Sequence, residues 1–342
     1  MRVLQVMAGA EHGGAEGFFC RLVPALSRAG VDQRAVIRVN PKRAAQLGAA
    51  GVDTIELAFG GLLDIATRWR LKGEIDRFRP TIVMSWMNRA TISCPTGRFV
   101  HIGRLGGYYD IKYYRRCHHL VANTHDIRRY LIENGVPDDR VHYVPNFVTD
   151  ARAEPVPRHT LATPEEAPVV LAMGRLHANK AFDVLIDALA DVRDAVLWLA
   201  GEGPERSRLE QRARRLGLSS RVRFLGWRGD INALLRAADV FVCPSRHEPL
   251  GNVVLEAWAQ AVPVVAAASQ GPSGLIRHRY NGLLVARDDK DALAGAIREV
   301  LDAPDLSAAL AARGRLAYEA EFTEAKVVGR FVDLFDRVGG RA

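Results

Sequence analysis

The chain has 342 residues, 48% of them hydrophobic and 25% charged, with a formal net charge of +8. That composition excludes a disordered or fibrous chain, and the length suits two domains of roughly 150 residues. No tract is low-complexity, no solenoid period recurs, and no apolar run approaches the ~20 residues that a membrane span needs.

The positive charge is uneven. Residues 1–150 hold 21 Lys/Arg against 14 Asp/Glu, and residues 151–342 hold 26 against 25. A basic first half suits an anionic partner, either nucleic acid or an anionic membrane surface; it is equally what a merely solubilising surface looks like. Cys20, Cys94, Cys117 and Cys243 lie far apart with no metal-ligand or redox spacing, which points to a reduced compartment. The first residues lack the long apolar run and cleavage site of a signal peptide. The expectation is a soluble cytoplasmic protein.

Along the chain, "RVLQVM" reads as a strand and "AEGFFCRLVPALSRA" as a helix with Phe18, Phe19, Leu22 and Leu26 near one face. "QRAVIRV", "TIVMSW" and "HLVANT" are further strands. Residues 151–168 contain four prolines and no periodicity, which predicts a linker. A second alternation follows: strands in "VVLAMGRL", "AVLWLAGEG", "VRFLGW", "VFVCPS" and "VPVVAA", and helices in "AFDVLIDALADV" and "DINALLRAA". The end, "FTEAKVVGRFVDLFDRV", puts Val327, Val328, Phe331, Leu334, Phe335 and Val338 on one helical face. Strand–helix alternation on both sides of a linker predicts two α/β units with parallel sheets. Their ligands are expected at the carboxyl ends of the strands, in a cleft that suits a two-substrate reaction.

Three motifs carry candidate chemistry. "GRLHANKAFD" places Arg175 and Lys180 just after a strand; two cations there suit a diphosphate, or a pair of surface ion pairs. "GGAE" at 13–16 joins the first strand to the first helix, where backbone N–H groups attract anions, although a Gly-Gly can also be only a tight turn. It is not GxGxxG, and no acidic residue follows the second strand where one would hold a ribose, so a Rossmann dehydrogenase is disfavoured. "EPLGNVVLE" sets Glu248 in a Pro/Gly loop and Glu256 inside a helix expected to be N-capped by Asn252. Eight residues span ~12 Å if helical. That is about the reach from the sugar of a nucleotide-sugar, past its diphosphate, to the ribose. One buried structural glutamate and one surface glutamate would give the same spacing.

Together these stretches resemble the retaining glycosyltransferases of family 4, which have the GT-B fold. "GGAE" (13–16), "VPNFV" (144–148), "GRLHANKAF" (174–182), "LAGEGPE" (199–205), "EPLGNVVLEAWAQAVPVVA" (248–266) and "NGLLV" (281–285) carry the resemblance over nearly the whole chain. It implies two facing Rossmann-like domains with a cleft between them. The N-terminal domain, 1–150, would hold the acceptor, and a linker, 151–168, would lead to the nucleotide-sugar domain, 169–320. A C-terminal helix within 321–342 would return to the first domain.

By the same resemblance, Arg175 and Lys180 bind the donor diphosphate and stabilise the leaving group, Glu248 contacts the donor sugar, and Glu256 holds the ribose. The backbone of Leu250, Gly251, Asn252 and Val253 cradles sugar and phosphate, and Gly13 and Gly14 approach the diphosphate. No cofactor or metal is implied. A histidine near the reacting sugar is common in the family; His101 is the candidate here, with Arg104 or Gly106 as alternative occupants of that place, and a buried structural histidine is the other reading of His101. Ala181 replaces a usual glycine, and Gly274 a common acidic residue. The Asp288–Asp289 pair reads as a helix N-cap.

Two basic–aromatic stretches, Arg68, Trp69, Arg70 and Lys72, and Lys112 to Arg116, suit an anionic membrane surface and hence a lipid-linked or lipopolysaccharide-core acceptor. A phosphorylated soluble acceptor fits the same cations. The competing functions are a nucleotide-sugar epimerase of similar shape and a nucleic-acid-binding protein. The second lacks a basic stripe of recognised type.

Overall fold

Short apolar runs between amphipathic stretches are what a parallel sheet covered on both faces requires. The computed structural model, which describes residues 1–11, 13–60 and 64–340, contains two such sheets. The chain divides into Met1–Phe147 with Glu324–Ala342, and Val148–Thr323.

In the first unit β1 (Arg2–Met7), α1 (Gly14–Arg28), β2 (Asp32–Arg38), α2 (Pro41–Ala49), β3 (Asp53–Leu57), α3 (Ile65–Phe78), β4 (Ile82–Trp86), α4 (Met87–Ser93), β5 (Val100–Leu105), β6 (His119–Ala122), α5 (His125–Glu133) and β7 (Val141–Tyr143) follow in turn. Its seven strands are parallel, in the order β3-β2-β1-β4-β5-β6-β7. β4 is buried at every position because strands flank it and helices cover both faces. α2 starts where Asn40 accepts a hydrogen bond from Arg43 N (2.9 Å) and Pro41 presets the first turn, while Thr124 caps α5 through Ile127 N (3.0 Å).

The second unit holds β8 (Val169–Met173), α6 (Phe182–Ala190), β9 (Val196–Ala200), α7 (Arg206–Arg215), β10 (Val222–Gly226), α8 (Ile231–Ala237), β11 (Val240–Cys243), α9 (Asn252–Ala259), β12 (Val264–Ala267), α10 (Gln270–Leu275), β13 (Leu283–Val285), α11 (Lys290–Asp302) and α12 (Pro304–Glu321). Its parallel order is β10-β9-β8-β11-β12-β13. Asp289 caps α11 by accepting from Ala292 N (2.9 Å), as the sequence predicts.

Strand order reverses beside β1 in the first sheet and beside β8 in the second. Such a switch point opens a crevice at the carboxyl ends of the strands. α13 (Glu324–Gly339) belongs to the first unit, where its six predicted apolar side chains are buried and pack into the same core as α1. Full burial of side chains of this size contributes about 1.5–3 kcal/mol each.

The expected linker needs correction. The division falls at 147/148, and much of 151–168 packs on the second unit. Val156 N donates to Ala233 O (3.2 Å), Arg158 pairs with Asp239 (2.9 Å), and Trp198 Nε1 donates to Thr163 Oγ1 (2.9 Å). The prolines of this stretch replace regular secondary structure, not contact. The second unit also runs to Thr323, so the expected edge at 320 falls within it.

Candidate functional site

The loops that follow β8 and β11 meet at the switch point of the second sheet. The β8 loop turns at Gly174 and is tied to the loop after β9: Gly174 N donates to Ala200 O (2.9 Å) and Leu176 N to Glu202 O (2.9 Å). Gly201 makes this possible. Its φ is +146°, and a Cβ there would lie 1.9 Å from Gly174 O, so no other residue fits. The "LAGEGPE" stretch therefore supports the "GRLHANK" loop. Ala181 ends that loop with φ +51° and ψ 35°, a left-handed conformation that favours glycine, and launches α6.

The β11 loop carries Glu248, which is 8% exposed. Lys180 Nζ donates to Glu248 Oε2, and the weak bond from Gly251 N reaches Oε1 at 3.3 Å. Glu248 O accepts from Gly271 N at 2.7 Å, which seats the loop on α10. Gly251 has φ +75°, and a Cβ there would press on Leu275 at 2.9 Å.

α9 begins one residue away from the expected arrangement. Gly251, not Asn252, is the N-cap and supplies no side-chain bond; Asn252 and Val253 are the first helical residues. Glycine takes the position because the turn needs a left-handed residue there. Early N–H groups of a helix have no partner within it. Glu256 lies just over one turn into α9, half-buried, between the buried Leu255 and Ala257.

Arg246 organises both loops, a role that the motif reading missed. Its guanidinium grips Asp183 with two bonds of 2.9 Å, pairs with Asp288, and donates to Ala178 O at 2.7 Å. His247 N adds a bond to Asn179 O (3.1 Å). Burial works against the Asp183 carboxylate, but the Arg246 hydrogen bonds and charge outweigh it and hold its pKa below the usual range. Beneath the loop, burial and then the Glu248 charge push the Cys243 thiol up to about 11, leaving it un-ionised.

The other predicted residues separate. Arg175 is exposed on the same loop as Lys180. Gly274 is exposed on α10. In the first unit Gly13 caps α1 and Gly14 is its first residue. The space that a Gly13 side chain would take is filled by Glu16, whose Oε1 accepts from Ala10 N at 2.7 Å. The negative charge at this helix start thus comes from the helix itself.

His101 requires correction as a catalytic candidate. It lies within β5, 3% exposed, with Nε2 2.8 Å from Ser85 Oγ and its own N–H donating to His118 Nδ1 (2.8 Å). Burial, then the neighbouring His118, lowers its pKa to about 4. It is a neutral core imidazole away from solvent. Arg104, the named alternative, is buried at the end of the same strand.

The basic–aromatic stretches also divide. On α3, Ile65 and Trp69 are each 76% exposed, and Arg68 and Lys72 share their side of the helix. In the second stretch Tyr114 is core, 2% exposed, with its hydroxyl donating to Asn88 Oδ1 (2.7 Å). A concavity of about 640 Å3 lies there, lined in part by Lys112, Arg115, Tyr130 and Arg140. Among the described residues no helix is long and apolar enough to cross a membrane.

Comparison with known proteins is consistent across the chain. Residues 12–152 match the model "Glycosyltransferase Family 4", and residues 167–303 match "Glycosyl transferases group 1". The lipopolysaccharide core biosynthesis glycosyltransferase LpsD of Rhizobium meliloti is 39% identical over 98% of both chains. A glycosyltransferase structure from Rickettsia africae superposes with a TM-score of 0.89 at 18% identity, covering 98% of both chains. Anabaena Alr3699/HepE, solved in complex with UDP, gives 0.87 at 21% identity, covering 98% of this chain and 100% of that one. The paired Rossmann-like sheets are those of the GT-B glycosyltransferases.

Proposed function

Because the chain belongs to the family 4, group 1 glycosyltransferases, we propose that it moves a sugar from a nucleotide-sugar to a glycan acceptor of the lipopolysaccharide-core type, with retention of anomeric configuration. The nucleic-acid-binding and epimerase readings drop away with that membership. The acceptor class is supported by the name of the relative that matches over 98% of its length.

One observation carries the donor assignment. Lys180 and Glu248, 68 residues apart, pair at the switch point of the second sheet. A diphosphate arriving there competes with Glu248 for the Lys180 ammonium. Once Lys180 turns to phosphate, the Glu248 carboxylate is free to accept hydrogen bonds from sugar hydroxyls. Arg175 adds a second cation, and the two together stabilise charge that develops on the leaving phosphate, so the reaction needs no metal. The backbone from Leu250 to Val253 would cradle the sugar and phosphate, and Glu256 would hold the ribose. The leaving phosphate itself takes the acceptor proton.

The exposed Ile65 and Trp69 beside Arg68 and Lys72 suit an anionic membrane surface, where a lipid-linked acceptor would be presented on the cytoplasmic side.

The test is thermal stabilisation by a panel of nucleotide-sugars, UDP-sugars first, followed by nucleotide release. Ligand at 100 times its Kd adds about 2.7 kcal/mol. Stabilisation by one donor that disappears in Lys180→Met supports the site. No shift with any saturating donor overturns it.

A further inference from the structure

Arg104 ends up in an unusual environment for a cation. It is 2% exposed at the carboxyl end of β5, and its guanidinium lies 4.6 Å from the ring centroids of both Phe18 and Trp86. The two ring centroids are 6.1 Å apart, so both rings pack on the guanidinium from adjacent sides. Nη2 donates to Asn146 Oδ1 at 2.5 Å, and Nε has no partner. No carboxylate pairs with it among the described residues. Glu16 comes near enough to act on Tyr109, as Arg104 does, but its Oε1 is committed to Ala10 N at 2.7 Å. Burial draws the Arg104 pKa down to about 9, which leaves it charged at neutral pH.

Asn123 is the second anomaly. It follows β6, is 5% exposed, and neither its amide oxygen nor its amide nitrogen has a partner. Val121 is the register partner of Arg104. Asn123 stands two positions further, in the bend just past the end of β6. A buried charge without a counter-ion is costly, and so is a buried amide with both ends unpaired. Here both occur at neighbouring strand ends within one unit, at the edge of the sheet where such folds bind ligands. A single group resolves both. An anionic oxygen that accepted from Arg104 Nε and Asn123 Nδ2, with a hydroxyl beside it donating to Asn123 Oδ1, would satisfy both.

We infer that Arg104 and Asn123 form a subsite for a carboxylate or phosphate group on the acceptor glycan, with Asn146 positioning the guanidinium. This deepens the glycosyl-transfer reading and rests on it for the word acceptor. The enzyme would then select acidic or phosphorylated sugars over neutral ones.

The experiment uses the full chain saturated with UDP, so that the donor site is filled, and titrates inorganic phosphate, glucuronate and glucose by calorimetry. Phosphate or glucuronate is expected to bind at least tenfold more tightly than glucose, and the stronger of the two identifies the group. Arg104→Gln should remove that preference. Because this change removes the guanidinium packed against Phe18 and Trp86, Asn146→Asp is the second variant: it keeps the side-chain shape and supplies an internal counter-ion. Asn146→Asp should lose anion binding while retaining stabilisation by UDP, which shows that it folds. The inference is overturned if neither anion outbinds glucose in the unaltered chain, or if both variants bind anions as before. If UDP does not bind but phosphate binding depends on Arg104, the anion subsite stands and the transfer reading fails.

Discussion

On the proposed donor site, the Lys180–Glu248 pair would tie the stability of the second unit to donor binding, and the two effects can be separated. The Glu248 side chain is 10% exposed and that of Lys180 23%. Removing one partner of a fully buried pair costs about 3–5 kcal/mol, because the other charge is left uncompensated. Water reaches part of Lys180, so Lys180→Met is expected to cost less, about 2–3 kcal/mol; it strands Glu248 with only the 3.3 Å bond from Gly251 N. Glu248→Gln keeps the shape and that acceptor. In the double variant neither charge remains, and the coupling should return about 1–2 kcal/mol. Denaturant unfolding of the four proteins measures this. UDP and UDP-sugar titrations of the same set measure function. Under the proposed donor assignment, a diphosphate would have to displace Glu248 from Lys180 in the unaltered chain. Glu248→Gln should therefore bind UDP as tightly as the parent or tighter, yet lose the extra affinity due to the sugar. Lys180→Met should lose UDP itself. Additive stability effects within about 0.5 kcal/mol, or UDP binding weakened equally by both changes, would refute the pairing as a functional contact.

Two further outcomes test the fold around the site. Ala181 is fully buried at φ +51°, so Ala181→Gly relieves about 1–2 kcal/mol of left-handed strain while losing a buried methyl and gaining unfolded-chain entropy. The expected net change is within about 1 kcal/mol, whereas Ala181→Val, β-branched and larger, should destabilise by more than about 2 kcal/mol. Thermal unfolding that ranks these two the other way would show that the loop does not hold this conformation. His101 is held neutral: its folded pKa, about 4, lies below the unfolded 6.5. The unfolded chain binds the extra proton, so this histidine's contribution is fully present above about pH 6.5 and is lost as pH falls towards 4. Going from pH 7 to pH 5 should remove about 2 kcal/mol, and His101→Gln should flatten that part of the pH–stability profile. An unchanged slope would place His101 in solvent.

How much of this was legible beforehand depends on the distance over which each signal acts. β1, β4 and β8 announce themselves locally, because a buried parallel strand is a short apolar run. β3, with its polar "DTIEL", and the three-residue β7 do not, and they are recognisable as strands only beside β2 and β6. The α9 motif shows Glu248 and Glu256 by spacing. It cannot show that Glu248 bonds to Lys180, because that contact requires β11 to lie beside β8, a consequence of sheet order and not of neighbouring residues. The same holds for Arg246 and Asp183, which stand 63 residues apart in the sequence and sit in motifs that were already conspicuous for other residues. His101 shows the opposite error. The resemblance to a family with a histidine near the reacting sugar suggests chemistry for it, but strand pleating turns it towards Ser85 and Cys117, within the core. Arg104, three residues on, inverts the ordinary expectation that an arginine is a surface group: the buried cation without a carboxylate becomes visible only once Phe18 and Trp86 close on it. Sequence spacing thus singled out the loops proposed to bear chemistry, while the partners that make each side chain chemically distinctive come from strands brought together across the sheet.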